Sequence, residues 1–135
     1  MKRRTGRFYL DASALVKLVI TEAESSALHG YLGGSSGIFS SRVGEVEVRR
    51  VVGRQREVDA DDRVESLMRR IELLELDADV ARRAAALGPV TLRSLDAIHL
   101  ASALAIAPEL DAVIIYDVRL ADAARLVGLP VVAPT

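Results

Sequence analysis

At 135 residues, 50% of them hydrophobic and 27% charged, the chain is long enough to fold as one domain around a buried core. It contains no cysteine, which excludes disulfides, zinc-thiolate sites and cysteine nucleophiles. The formal net charge of -1 lacks the global basicity of a nucleic-acid binder, yet sixteen of the eighteen cationic residues are Arg, the side chain suited to forked contacts with phosphate or carboxylate.

The basic start, Met1 to Arg7, leads into an apolar run that Asp11 and Lys17 interrupt. It is neither a signal-peptide core nor a membrane span, and a cytoplasmic location is expected. Phe8-Tyr9-Leu10 reads as a strand ending at Asp11, and Ser13 opens a helical pattern through Leu15, Leu18 and Val19. A second helix is expected from Ala23 to Leu32, closed by Gly33-Gly34, with His29 on its surface. Gly37 to Ser41 gives a short strand and a turn or cap, followed by a helix from Arg42 to Gln55. The acids from Val58 to Asp62 cap a helix that runs to about Arg70. Ile71 to Leu76 is a weak strand, and Asp77-Ala78-Asp79 starts a helix that stops at Gly88-Pro89.

Leu92 to Ala105 is alanine- and leucine-rich and apolar on nearly every face, as a buried helix is. Ser94 is its expected N-cap, which puts Asp96 in the first turn, where the helix dipole favours a negative charge. Pro108 ends this run. Ala112 to Tyr116 is the clearest strand, a β-branched stretch of the kind buried on both faces, and it ends at Asp117. A helix from Arg119 to Val127, a Gly128 C-cap and a last strand Pro130 to Val132 complete the pattern. Strands alternating with helices predict a three-layer α/β/α sandwich around a mainly parallel sheet, one domain over residues 1–135.

Ligands of open parallel sheets bind outside the carboxyl ends of the strands. Asp11 and Asp117 lie at two such ends, and the helix carrying Asp96 opens on the same edge. Two carboxylates about 5 Å apart repel by roughly 3 kcal/mol at an effective dielectric of 20, so such a cluster needs protons or a cation. All-oxygen donors select a hard ion, Mg²⁺ or Mn²⁺, and the implied chemistry is phosphoryl or phosphodiester transfer. A fourth acid should come from the helix after Ser41. Glu47 falls between Val43 and Val51 on the helical wheel and is preferred, while Glu45 lies further to the polar side and suits pairing with a neighbouring Arg. Ser13 is placed to cap its helix, to hydrogen-bond a ligand carboxylate, or both. His99, one turn past Asp96, reads as a satisfied packing residue outside the catalytic set. Asp111 and Asp122 read as turn and surface residues, and Tyr9, Tyr31 and Tyr116 are too dispersed for a base-stacking platform.

These residues carry a family resemblance. Leu10-Asp11-Ala12-Ser13-Ala14-Leu15-Val16-Lys17 resembles the opening motif of PIN-domain proteins, in particular the VapC toxins of bacterial and archaeal toxin-antitoxin pairs. Ser41 to Arg50 is similar to the second motif, with Glu47 at the family acid. Leu95-Asp96-Ala97-Ile98-His99-Leu100-Ala101 and Tyr116-Asp117-Val118-Arg119-Leu120 resemble the third and fourth, and Gly128 to Pro134 the family's ending. The resemblance implies a metal-dependent ribonuclease in which Asp11, Glu47, Asp96 and Asp117 bind Mg²⁺ or Mn²⁺, Asp11 and Asp96 directly. It also implies an RNA substrate, a homodimer and inhibition by a cognate VapB-type antitoxin. Glu45 departs from the pattern, standing where a neutral or basic residue is usual.

Two other readings compete. A non-catalytic PIN-like module binding RNA or protein would have no use for mutually repelling carboxylates. An aspartyl-phosphate phosphatase or receiver fold would nucleate on Asp11, but the phosphatase usually has a second Asp two positions on, where this chain has Ser13.

Overall fold

The computed structural model describes residues 6–135, and the basic start at 1–5 lies outside the described residues. The chain runs β1 (Arg7–Leu10), α1 (Ala12–Val19), α2 (Ser25–Leu32), β2 (Gly37–Ser41), α3 (Arg42–Gln55), α4 (Ala60–Arg70), β3 (Glu72–Leu74) and α5 (Ala78–Ala86). It continues through α6 (Ser94–Ala105), a 3₁₀ turn at Ala107–Glu109, β4 (Ala112–Ile114), α7 (Val118–Leu126) and β5 (Val131–Val132).

The strands form one sheet in the order β3-β2-β1-β4-β5, parallel at every pairing. Side chains alternate across it. Phe8, Leu10, Ile38, Ala112 and Ile114 pack with α1 to α4 on one face, and Tyr9, Phe39 and Val113 pack with α6 and α7 on the other. Helix α5 lies outside α6, joined through Val80, Ala84, Ala97 and Ala101. The outcome is a three-layer α/β/α sandwich. Leu10, Leu15, Leu28 and Ile114 are fully buried at its centre, each worth roughly 1.5–3 kcal/mol relative to exposure.

Strand order fixes where a ligand binds. The chain steps outward from β1 through β2 to β3, then crosses to β4 and steps the other way, so the order reverses between β1 and β4. The flavodoxin-like receiver order is 2-1-3-4-5, so this sheet sets the receiver reading aside.

Three local expectations are corrected. Arg93, not Ser94, is the N-cap of α6; the Ala97 amide bonds the Arg93 carbonyl at 2.8 Å, and no side chain caps this end. Ser13 does not cap α1, because Asp11 does. Strand β4 stops at Ile114, its register partner being Leu10, the last residue of β1. Beyond that point Ile115 stays buried and its amide bonds Val132, whereas the Tyr116 amide leaves the sheet for a side chain.

Candidate active site

Asp11 follows β1 directly, with its backbone extended as an N-cap requires. Its Oδ1 accepts the Ala14 amide at 3.1 Å and the Ser13 hydroxyl at 2.6 Å. Ser13 Oγ in turn accepts the Tyr116 amide at 3.0 Å. One hydroxyl thus joins the ends of β1 and β4, the two strands at the reversal. The Asp11 carboxyl is buried, and desolvation pushes its pKa up against the downward pull of the Ser13 bond and the His99 ring.

Asp96 sits half-buried in the first turn of α6, beside Asp117, which follows β4 at the same edge. Desolvation raises its pKa most, and the charges of Asp117 and Glu47 raise it further. Asp117 is exposed and caps α7, accepting the Leu120 amide at 3.0 Å. Asp96 and Asp117 share a cleft with Arg93 and Arg119. Glu47 lines an adjacent cleft with Ser13, Lys17, Arg50 and Arg54. Glu45 instead takes the surface pairing, bonded to Arg42 at 2.6 Å and Arg49 at 2.9 Å, and Arg42 foremost holds its carboxyl below the ordinary range.

His99 is buried and satisfied, as a packing residue is, and it also touches the acid set. Nδ1 lies 2.8 Å from the Tyr9 hydroxyl and Nε2 lies 2.7 Å from Glu47 Oε1. The signal for His99 was in the sequence: three residues after Asp96 on a helix puts both on one face. Tyr9 gave no signal beyond its place in an apolar strand. His29, Asp111 and Asp122 are exposed, and Asp111 accepts the Arg7 amide at 2.8 Å. Tyr31 packs on Phe8, and the Tyr116 hydroxyl donates to the Pro134 carbonyl.

Among the described residues, none of the four carboxylates pairs with Lys or Arg, and no three carboxylate or imidazole groups close into a ready-made metal cage. A rigid all-protein calcium site is not built this way. The donor set does fit a small, hard cation that keeps several waters and takes one or two carboxylates together with substrate phosphate oxygens. Asp11, buried and short of countercharge, and Asp96, raised by burial and then by its acidic neighbours, are the side chains that such a cation would relieve.

Comparison with known proteins agrees with this architecture. The family model for the PIN domain matches residues 8–126. The chain is 42% identical over 130 residues to ribonuclease VapC47 of Mycobacterium tuberculosis, covering 93% of this chain and 96% of that one. It is 39% identical over 131 residues to ribonuclease VapC46 of the same species, covering 94% and 97%. Among solved structures, the crystal structure of M. tuberculosis VapC20, a sarcin-ricin loop cleaving toxin, superposes with a TM-score of 0.73 at 13% identity, covering 94% of this chain and 99% of that one. A toxin-antitoxin complex from Klebsiella pneumoniae contains a chain with a TM-score of 0.65 at 22% identity, covering 94% and 97%. Among the described residues, no helix is long and apolar enough to cross a membrane. With a family match from the first strand to the last helix, and relatives aligned along nearly their whole length, the chain belongs to the PIN-domain family.

Proposed function

We propose that this chain is the toxin of a VapBC-type toxin-antitoxin pair, an endoribonuclease that depends on Mg²⁺ or Mn²⁺ and hydrolyses RNA phosphodiester bonds. It acts in the cytoplasm as a single domain over residues 1–135, assembles as a homodimer, and is restrained by a cognate VapB-type antitoxin. Relatives called ribonucleases support the activity, and the toxin-antitoxin complex among the fold neighbours supports the partner. The observation that carries the reading is the set of four carboxylates, Asp11, Glu47, Asp96 and Asp117, drawn from four elements that meet the carboxyl edge of the sheet, none with a cationic side-chain partner of Lys or Arg among the described residues.

Asp11 and Asp96 would hold the ion, with Glu47 and Asp117 completing the site or orienting water. A bound divalent cation supplies an activated water and neutralises charge developing on the phosphate. Ser13 keeps the Asp11 carboxylate in one orientation, so that a ligand there meets a fixed donor. Arg93 and Arg119 in one cleft, and Arg50 and Arg54 in the other, flank the acids with positive charge that attracts RNA phosphates on either side of the reacting bond.

Brief expression of the wild type and of Asp96→Asn in a bacterial host, followed by transcriptome-wide mapping of RNA 5′ ends, tests the activity whichever RNA is cut. Discrete new ends are expected with the wild type alone. The same ends with both proteins, or with neither at matched protein levels, would contradict the reading.

A further inference from the structure

Tyr9 on β1, His99 on α6 and Glu47 on α3 form a continuous hydrogen-bonded line through the interior. The Tyr9 hydroxyl is 2.8 Å from His99 Nδ1, and His99 Nε2 is 2.7 Å from Glu47 Oε1. His99 is 2% exposed, and the Tyr9 ring meets it edge-on at 5.9 Å between centroids. The arrangement in which the Tyr9 hydroxyl donates to Nδ1 and Nε2–H donates to the Glu47 carboxylate would pair every polar atom of the line.

Each member stands close in sequence to a carboxylate of the site. Tyr9 precedes Asp11 by two residues, His99 follows Asp96 by one helical turn, and Glu47 is itself one of the four. The backbone makes room for the line at Gly44, where a Cβ would come within 2.8 Å of Ser40 Oγ and 3.2 Å of His99 Cε1. A Leu at 99 would satisfy a helix buried in alanine and leucine, so a polar ring here calls for a use. Helical spacing also offers Glu47 a second partner. Arg50 is three residues along α3 and lines the same cleft, the spacing at which an isolated helix forms an ion pair. Glu47 bonds His99 instead.

We propose that Tyr9 and His99 are positioning residues for Glu47: the line holds the Glu47 carboxylate at the acid edge and away from Arg50, so that α3 contributes a fixed charge beside Asp11 and Asp96. The consequence for metal binding rests on the function proposed above. The line itself does not. Partners that orient a ligating carboxylate commonly change metal affinity by about 10–100-fold when removed.

The test compares His99→Leu, His99→Gln and Tyr9→Phe with the wild type by Mn²⁺ calorimetry at a temperature where circular dichroism shows each folded. His99→Leu should lower Mn²⁺ affinity by about 10-fold or more, Tyr9→Phe by less, and His99→Gln, which keeps an amide donor for Glu47, should recover part of the loss. Tyr9→Phe removes one oxygen atom and keeps the test open if His99→Leu fails to fold. A purely structural role would lower melting temperatures and leave the affinity of the folded variants unchanged, which would overturn the proposal. In parallel, ¹⁵N spectra of the metal-free protein should place the His99 proton on Nε2, with a resonance that moves in Glu47→Gln. A proton on Nδ1, or a ring insensitive to Glu47→Gln, would also overturn it. If the wild type took up no Mn²⁺, the metal reading would fall, and the ring spectra would then decide the line on their own.

Discussion

Ser13 Oγ lies 2.6 Å from Asp11 Oδ1 and donates to it, while accepting the Tyr116 amide at 3.0 Å. The contact ties a buried carboxylate on one strand end to the backbone of its neighbour. Ser13→Ala removes the donor to Asp11 and leaves the Tyr116 amide without its acceptor. Losing a bond to a carboxylate and orphaning a half-buried amide costs about 1–3 kcal/mol. Urea unfolding of metal-free protein should show the midpoint falling with an unchanged slope, and Ser13→Thr should keep most of the stability. An alanine variant as stable as the wild type would remove Ser13 from this role.

The acid cluster gives the metal-free protein a recognisable pH dependence. Burial raises the folded pKa of Asp11, and burial with the charge of Asp117 raises that of Asp96. A raised carboxyl contributes stability that is fully present below its unfolded pKa and is lost as pH rises through the folded value. Acids such as the half-buried Glu57 and the exposed Glu75, lowered by Arg63 and Arg42, act in the opposite sense, so the informative quantity is a difference between variants. Asp11→Asn keeps the cap acceptor, since Asn and Asp cap about equally well. Asp11→Asn and Asp96→Asn should therefore be more stable than the wild type at neutral pH and lose that advantage in acid. Thermal melts of metal-free protein across this range check it, and variants less stable at pH 7 would contradict the electrostatic account.

Glu45 and Glu47 stand two residues apart on α3 and should respond differently to neutralisation. Glu45 is held by Arg42 and Arg49 on the surface, so Glu45→Gln should cost at most about 1 kcal/mol and leave Mn²⁺ binding intact. Glu47→Gln should weaken Mn²⁺ binding with little change in melting temperature. Calorimetry on the pair separates them, and equal losses of metal binding would mean that α3 contributes to the site through both acids.

Gly44 offers a test of packing beside His99. Replacing a helical Gly by Ala ordinarily gains about 1 kcal/mol. Here the added Cβ would meet Ser40 Oγ at 2.8 Å and Leu15 Cδ1 at 3.0 Å, and Ser40 is itself bonded to the Leu10 carbonyl. Overpacking of this kind costs about 1–3 kcal/mol, which outweighs the helical gain. Gly44→Ala should lower stability in urea and weaken Mn²⁺ binding by shifting the His99 ring. A stabilised variant would show that this corner has slack.

Much of this architecture was legible because period and punctuation agreed. Arg42 to Gln55 has a Ser cap before it and a regular valine face, and α3 takes those bounds. Gly128 reads as a stop, and it adopts the left-handed φ of 87° just past α7. What escaped depends on contacts between distant residues. The length of β4 is set by where β1 turns away, and the run from Ala112 to Tyr116 does not record that. Ser94 carries the chemistry of a cap, but the Arg93 carbonyl accepts the first helical bond and moves the boundary by one residue. His99 has the spacing to meet Asp96's neighbours, yet its partners Tyr9 and Glu47 lie 90 and 52 residues away. Strand ends and helix starts showed where acids would gather; the side chains that orient them came only from packing.

The acids at the carboxyl edge are proposed to form a working divalent-cation site. Mn²⁺ titration of the purified protein and of Asp96→Asn, followed by calorimetry, tests it directly. Saturable binding is expected for the wild type and is lost in Asp96→Asn while the fold is retained. A folded wild type that takes up no Mn²⁺ at millimolar concentration, or an Asp96→Asn variant that binds as tightly, would contradict it.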